Sequence, residues 1–114
     1  MKRVRVEPEA KAELVEAARW YERQRTGLSR RLLDDVETAL AAIEALPRRF
    51  PRVAVQDESL EIRRCLLRDF PYAVVFILAR GEPVVIAVAH VKREPGYWLY
   101  RVPRSEPDPF DKEP

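Results

Sequence analysis

Leu14, Ala17, Ala18 and Tyr21 recur at i, i+3, i+4 and i+7, the apolar stripe of an amphipathic helix. Pro8 stands where such a helix can begin, because its missing N–H has no partner in a first turn anyway. Glu7, Glu9 and Glu13 suit the positive end of the helix dipole, and Thr26-Gly27 supplies a glycine stop. A second stripe, Leu32, Leu33, Val36, Leu40, Ile43 and Leu46, predicts a helix over 28–46 that Pro47 ends. So short a link makes the two helices an antiparallel hairpin. Ahead of them, residues 3–6 read as a short first strand with Val4 and Val6 on one face.

The second half changes character. Residues 61–68, 72–78 and 84–90 are strand candidates, and the links at 69–71 and 79–83 are short enough for hairpins. The middle run is almost wholly apolar, as a central strand covered on both faces should be. Residues 48–60, with Pro51 inside, form the connection from the helices. The order β-α-α-β-β-β predicts an α+β fold, an N-terminal helical hairpin packed on a mostly antiparallel sheet. A single domain over 1–102 is expected. The proline-rich, acidic stretch 103–114 reads as a flexible tail.

Composition adds limits. Of 114 residues, 46% are hydrophobic and 35% charged, enough for both a core and a solvated surface. No run approaches the roughly 18 apolar residues of a membrane span, and the N-terminus lacks the apolar core of a signal peptide. A cytoplasmic protein with no membrane partner is expected. Cys65 is the only cysteine and His90 the only histidine, so an intrachain disulfide is excluded. A thiolate metal cluster is excluded with it, and neither metal nor cofactor is expected. Net charge is only +2, yet nearly all the cations are arginine, the residue suited to bidentate phosphate or carboxylate contacts.

Candidate chemistry concentrates after the last strand. His90, Lys92, Arg93, Tyr97, Trp98, Tyr100 and Arg101 follow one another closely. Proton transfer, phosphate neutralisation and base stacking use these side-chain types. Strand alternation puts His90 on the face of Ile86 and Val88. It also puts Arg64 and Arg68 with Ile62 and Leu66, and Arg63 with Cys65 and Leu67. The Arg64 face is either a phosphate-binding surface or an edge strand protected by charge. Tyr97 serves either a binding surface or packing, whereas Trp98 is expected to fold back and seal the core. Arg48, Arg49 and Arg52 read as a solvated, mobile loop.

Three segments, in this order and spacing, carry a resemblance: Ala17-Ala18-Arg19-Trp20-Tyr21-Glu22, the stretch from Ile62-Arg63-Arg64 through Phe70-Pro71-Tyr72, and His90-Val91-Lys92-Arg93-Glu94-Pro95-Gly96-Tyr97-Trp98. With the element order, they resemble the RelE/ParE superfamily of toxins from bacterial type II toxin–antitoxin systems, over roughly residues 4–101. One branch, similar to RelE, cleaves mRNA on the ribosome without a metal. It implies catalytic roles for His90, Arg93, Arg64 and Tyr97 or Tyr100. The chain departs from that branch in having no lysine between Lys11 and Lys92. The other branch, similar to ParE, inhibits DNA gyrase, and Phe70-Pro71-Tyr72 and Pro95-Gly96-Tyr97-Trp98 look more like it. A gyrase inhibitor ranks first, a ribosome-dependent endonuclease second, and a non-toxic antitoxin-binding module third. The resemblance also implies a cognate antitoxin whose disordered C-terminal part folds onto the domain. The expected contacts with antitoxin, gyrase, ribosome or mRNA are Arg64, Arg68, Lys92, Arg93, Tyr97, Tyr100 and Arg101. A basic face joining Arg64 to Arg93 and an apolar groove along the helical hairpin would receive the antitoxin.

Overall fold

A computed structural model describes residues 4–102. The expected tail over 103–114 lies outside the described residues, as does Arg3 of the expected first strand. The elements are β1 (Arg5–Val6), α1 (Pro8–Gln24), α2 (Leu28–Ala45), β2 (Ile62–Leu66), β3 (Tyr72–Ala79) and β4 (Glu82–His90). Single turns of 3₁₀ helix occupy Pro47–Arg49 and Leu99–Arg101. The strands lie in the order β1-β4-β3-β2, with β1 parallel to β4 and the rest antiparallel. This is an α+β arrangement with both helices packed on a mixed sheet. No helix among the described residues is long and apolar enough to cross a membrane.

The helical hairpin turns at Gly27, whose φ of 95° suits a residue without a side chain. Gly27 offers no side-chain cap to α2. Glu22, in the last turns of α1, caps α2 instead, accepting from the Gly27 N–H (3.1 Å), the Ser29 N–H (3.0 Å) and the Ser29 hydroxyl (2.7 Å). The Ser29 hydroxyl above all, helped by these amides, holds the Glu22 carboxyl below its ordinary pKa.

The β3–β4 connection is tighter than expected. Arg80 and Gly81 both have positive φ, 54° and 79°, the geometry of a two-residue hairpin turn. Ala79 therefore pairs with Glu82, and Leu78 with Pro83. The five-residue link of the sequence reading becomes strand at both ends. Pro83 is tolerated because pairing with β1 begins only at Val84.

A bulge corrects a second expectation. Val75 pairs with Ala87 and Phe76 with Val85, which leaves Ile86 as an extra residue in β4. Val85 and Val88 consequently face the helices, whereas Val84, Ile86, Ala87 and Ala89 face the other side. The expected face shared by Ile86, Val88 and His90 is broken at Ile86.

The sheet is buried on both sides. Leu32, Val36, Ile43, Val74 and Phe76 fill the helix side. Ile62, Val75, Ile77, Ile86 and Trp98 fill the other, under a lid of Val53, Val55 and Leu60. Burying each large apolar side chain contributes about 1.5–3 kcal/mol. Trp98 is only 3% exposed and seals this second layer. Cys65 lies on the helix side, and burial pushes its thiol pKa up.

The basic connection before β2 is anchored, contrary to the mobile loop expected. Val53 N–H donates to the Ile62 carbonyl (2.7 Å) and Arg64 N–H to that of Pro51 (3.2 Å), so the loop covers part of the β2 edge. Arg48 grips Glu61 in a two-pronged ion pair at 2.9 and 3.0 Å. Arg52 donates to the carbonyls of Glu58 and Leu60. The turn after β2 is pinned to α2, because Asp35 accepts from the backbone N–H groups of Arg68 (3.3 Å) and Asp69 (2.8 Å).

Candidate functional site

β1 is only two residues long and covers little of β4. Its last backbone contact is the Glu7 N–H on the Val85 carbonyl, at 2.9 Å. The chain then leaves as α1, and side chains complete the edge that β1 leaves open. Glu13 Oε1 accepts from the Val88 N–H at 3.0 Å. Arg101 Nη1 donates to the Ile86 carbonyl at 3.1 Å and to Glu13 Oε1 at 2.9 Å. Buried backbone groups without partners cost stability, so this pair stands in for a missing stretch of strand.

The C-terminal segment reaches this position through Pro95-Gly96. Gly96 adopts a φ of 88°, and its carbonyl accepts from the Leu99 N–H at 3.0 Å. The turn brings Trp98 under the sheet and Tyr97 toward α1. The Tyr97 hydroxyl donates to Glu13 Oε2 at 2.6 Å. Arg93 lies 3.8 Å over the Tyr97 ring, a cation–π contact, with Nη1 3.6 Å from Glu13 Oε2. Arg101 flanks the same ring at 5.2 Å.

Burial sets the electrostatics. The Glu13 and Arg101 side chains are 14% and 8% exposed, whereas Arg93 is 56% exposed. Burial first, then the Glu13 carboxylate, pushes the Tyr97 pKa well above its ordinary value. Burial disfavours the charged form of Arg101, but the Glu13 hydrogen bond and charge outweigh it and hold that pKa high. Tyr97 is thus fixed as a hydrogen-bond donor. The Arg101 guanidinium is spent inside the protein, and only Arg93 presents a cation outward from this cluster.

His90 ends β4 on the helix side, its ring 5.1 Å from that of Tyr72. Its Nδ1 accepts from the Lys92 N–H (3.1 Å) and its carbonyl from the Arg93 N–H (2.9 Å). This tight turn aims Arg93 back toward α1. Between α1 and the end of β4 opens a cleft of about 430 Å³, with Glu16, Trp20 and Arg23 on one wall and Val88, His90 and Arg93 on the other.

The other candidate residues lie elsewhere. Arg64 is exposed on the far face of β2, opposite the helices, where Cys65 and Leu67 point. Arg68 is exposed in the following turn. Two inner strands separate β2 from β1. The expected basic face joining Arg64 to Arg93 is not formed, because the two arginines sit at opposite edges of the sheet. Tyr100 is 74% exposed, next to Leu99 at 38%.

Sequence reasoning singled out Arg93, Tyr97 and Arg101 but not the residue that unites them. The charge pattern alone marks Glu13 only as a favourable acid near the start of α1. The signal lay in its position. Ala10, Glu13, Leu14 and Ala17 share one stripe, and an acid on a buried stripe needs a partner.

A family model for the ParE toxin of type II toxin–antitoxin systems (parDE) matches residues 4–95. The chain belongs to this ParE toxin family. No curated protein matches it. The family match takes in α1, α2, the whole sheet and Arg93. It ends before Tyr97 and Arg101, so those C-terminal partners of Glu13 lie beyond it. Membership of a type II toxin family implies a toxin role and an antitoxin partner for this ParE-family chain.

Proposed function

We propose that this ParE-family toxin arrests growth by inhibiting DNA gyrase and that its cognate antitoxin relieves the arrest. One observation carries the preference: the Tyr97 hydroxyl is committed to Glu13. Metal-free RNA cleavage needs a base, an acid and cations gathered around one phosphate. Tyr97 is a poor base while Glu13 holds its proton, and Arg64 stands at the far edge of the sheet. The exposed Lys92, Arg93 and Tyr100 then serve as a contact surface for a protein target. The antitoxin would cover the cleft beside α1, where Trp20 is 49% and Val15 46% exposed, and offer acids to Arg93. Gyrase and antitoxin both belong to the cytoplasm, which makes it the proposed location.

The test is a supercoiling reaction with gyrase and ATP. Accumulation of cleaved DNA at micromolar toxin, reversed by antitoxin, is the expected result. Unaffected supercoiling would overturn the gyrase target.

A second reading, ribosome-dependent mRNA cleavage, is favoured by one observation: His90 and Arg93 share a cleft wall. Pulse labelling separates the two. Early loss of thymidine incorporation indicates gyrase, and early loss of amino-acid incorporation indicates the ribosome. Tight antitoxin binding with neither effect indicates a non-toxic module of the same fold.

A further inference from the structure

One carboxylate gathers the whole C-terminal cluster. The Val88 N–H, the Tyr97 hydroxyl and Arg101 Nη1 donate to Glu13, and Arg93 lies within ion-pair distance of it. These groups come from β4, from the turn after it and from the last described turn. The carboxylate comes from α1, more than seventy residues earlier in the sequence. Its charge matters beyond its shape. Arg101 is nearly buried, and a buried guanidinium without a counter-ion is strongly unfavourable. A glutamine in its place keeps the shape but has one acceptor oxygen, so it could accept from Val88 or from Tyr97 but not from both. It would leave Arg101 unpaired and withdraw the attraction on Arg93.

We infer that Glu13 is the positioning residue of the toxic surface: its charge fixes the Tyr97 ring, and through that ring holds Arg93 where the target is met. This rests on the reading that the Arg93–Tyr100 region carries toxicity. Glu13 itself is largely shielded and meets no target. Its effect passes through Tyr97, whose ring supports the one outward-facing cation of the cluster.

The full chain is compared with Glu13→Gln, Tyr97→Phe and Arg93→Ala. Growth arrest per unit of expressed toxin is measured together with antitoxin affinity, thermal midpoint and Tyr97 ionisation by absorbance. Growth arrest is independent of which target is correct. In Glu13→Gln, arrest potency should fall on the order of tenfold, as expected on losing one member of a buried charge pair. The Tyr97 phenol should ionise at lower pH, and antitoxin affinity should stay within about threefold, since most of the groove is untouched. Arg93→Ala should match the loss of potency, with Tyr97→Phe falling in the same direction.

Full potency in Glu13→Gln alongside a weakened Arg93→Ala would overturn the inference and leave the surface reading intact. Full potency in all three variants would overturn both, as would a wild-type chain that does not arrest growth. If potency, antitoxin affinity and thermal midpoint fall in parallel while Tyr97 ionisation is unchanged, Glu13 is a stabilising residue only. Should Glu13→Gln fail to fold, Tyr97→Phe decides, because it removes only the hydroxyl that Glu13 holds; undiminished potency there overturns the inference.

Discussion

Glu13 and Arg101, 88 residues apart in the sequence, meet in a 2.9 Å ion pair on the uncovered edge of β4. Neither residue is there for charge alone. Each also satisfies a backbone group of the strand, Val88 N–H for the acid and Ile86 C=O for the base. Burying the pair costs desolvation, and those extra hydrogen bonds offset it.

Tyr97 predicts an alkaline limit. Its pKa in the folded protein lies above the unfolded value, through burial and Glu13. The stability it lends is intact below the ordinary tyrosine pKa of about 10 and drains away above it, because only the unfolded chain ionises there. Urea midpoints taken from about pH 8 to about pH 11, a window that brackets that value, should fall less steeply in Tyr97→Phe than in the wild type.

Glu22 predicts the opposite limb. Its carboxyl pKa is lowered, mainly by the Ser29 hydroxyl. Its contribution is present above the usual carboxylate range and lost as pH falls through the lowered value. Glu22→Ala should lower the thermal midpoint by a few degrees at neutral pH and flatten the acid side of the profile. Calorimetry across the acid range checks both effects.

Trp98 is the lid of the second apolar layer. Trp98→Ala should destabilise the fold by about 3 kcal/mol, through lost burial and the cavity left behind. Urea unfolding followed by circular dichroism gives the number. A loss well under 1 kcal/mol would mean that the C-terminal segment is not packed as described.

Arg64 and Arg93 sit at opposite edges of the sheet and share no partner. Their effects on arrest potency should therefore add in the Arg64→Ala/Arg93→Ala double variant. A double variant no worse than the weaker single one would mean that both arginines serve one site, as the endonuclease reading requires.

Much of the architecture is legible from spacing. The stripes Leu14–Ala17–Ala18–Tyr21 and Leu32–Val36–Ile43 mark helices because burial repeats every third or fourth residue, and the structure buries those faces. The unbroken run at 72–78 marks a strand with no solvent face. Three features escaped for physical reasons. The bulge at Ile86 leaves no composition signal, since an inserted apolar residue in an apolar strand changes nothing in the pattern. The Arg80-Gly81 turn depends on a non-glycine residue at positive φ, which hides behind Pro83. The site depends on Glu13 finding partners more than seventy residues away, and pairwise periodicity carries no information at that range. Arg48 shows the same blindness. It looks like free loop charge until Glu61 is folded against it.

The brevity of β1 bears on how the chain is made. Two of the things that complete the edge of β4, a parallel strand from the beginning and Arg101 from near the end of the described fold, depend on β4 lying between them. During synthesis α1 and α2 emerge first and can pair at once, while β1 waits for residues 84 and 85. Glu13 lacks its two closest side-chain partners until Tyr97 and Arg101 have left the ribosome. The surface proposed for target contact is therefore the last part of the described fold to mature, and a nascent toxin stays unarmed until nearly all of that fold has been translated.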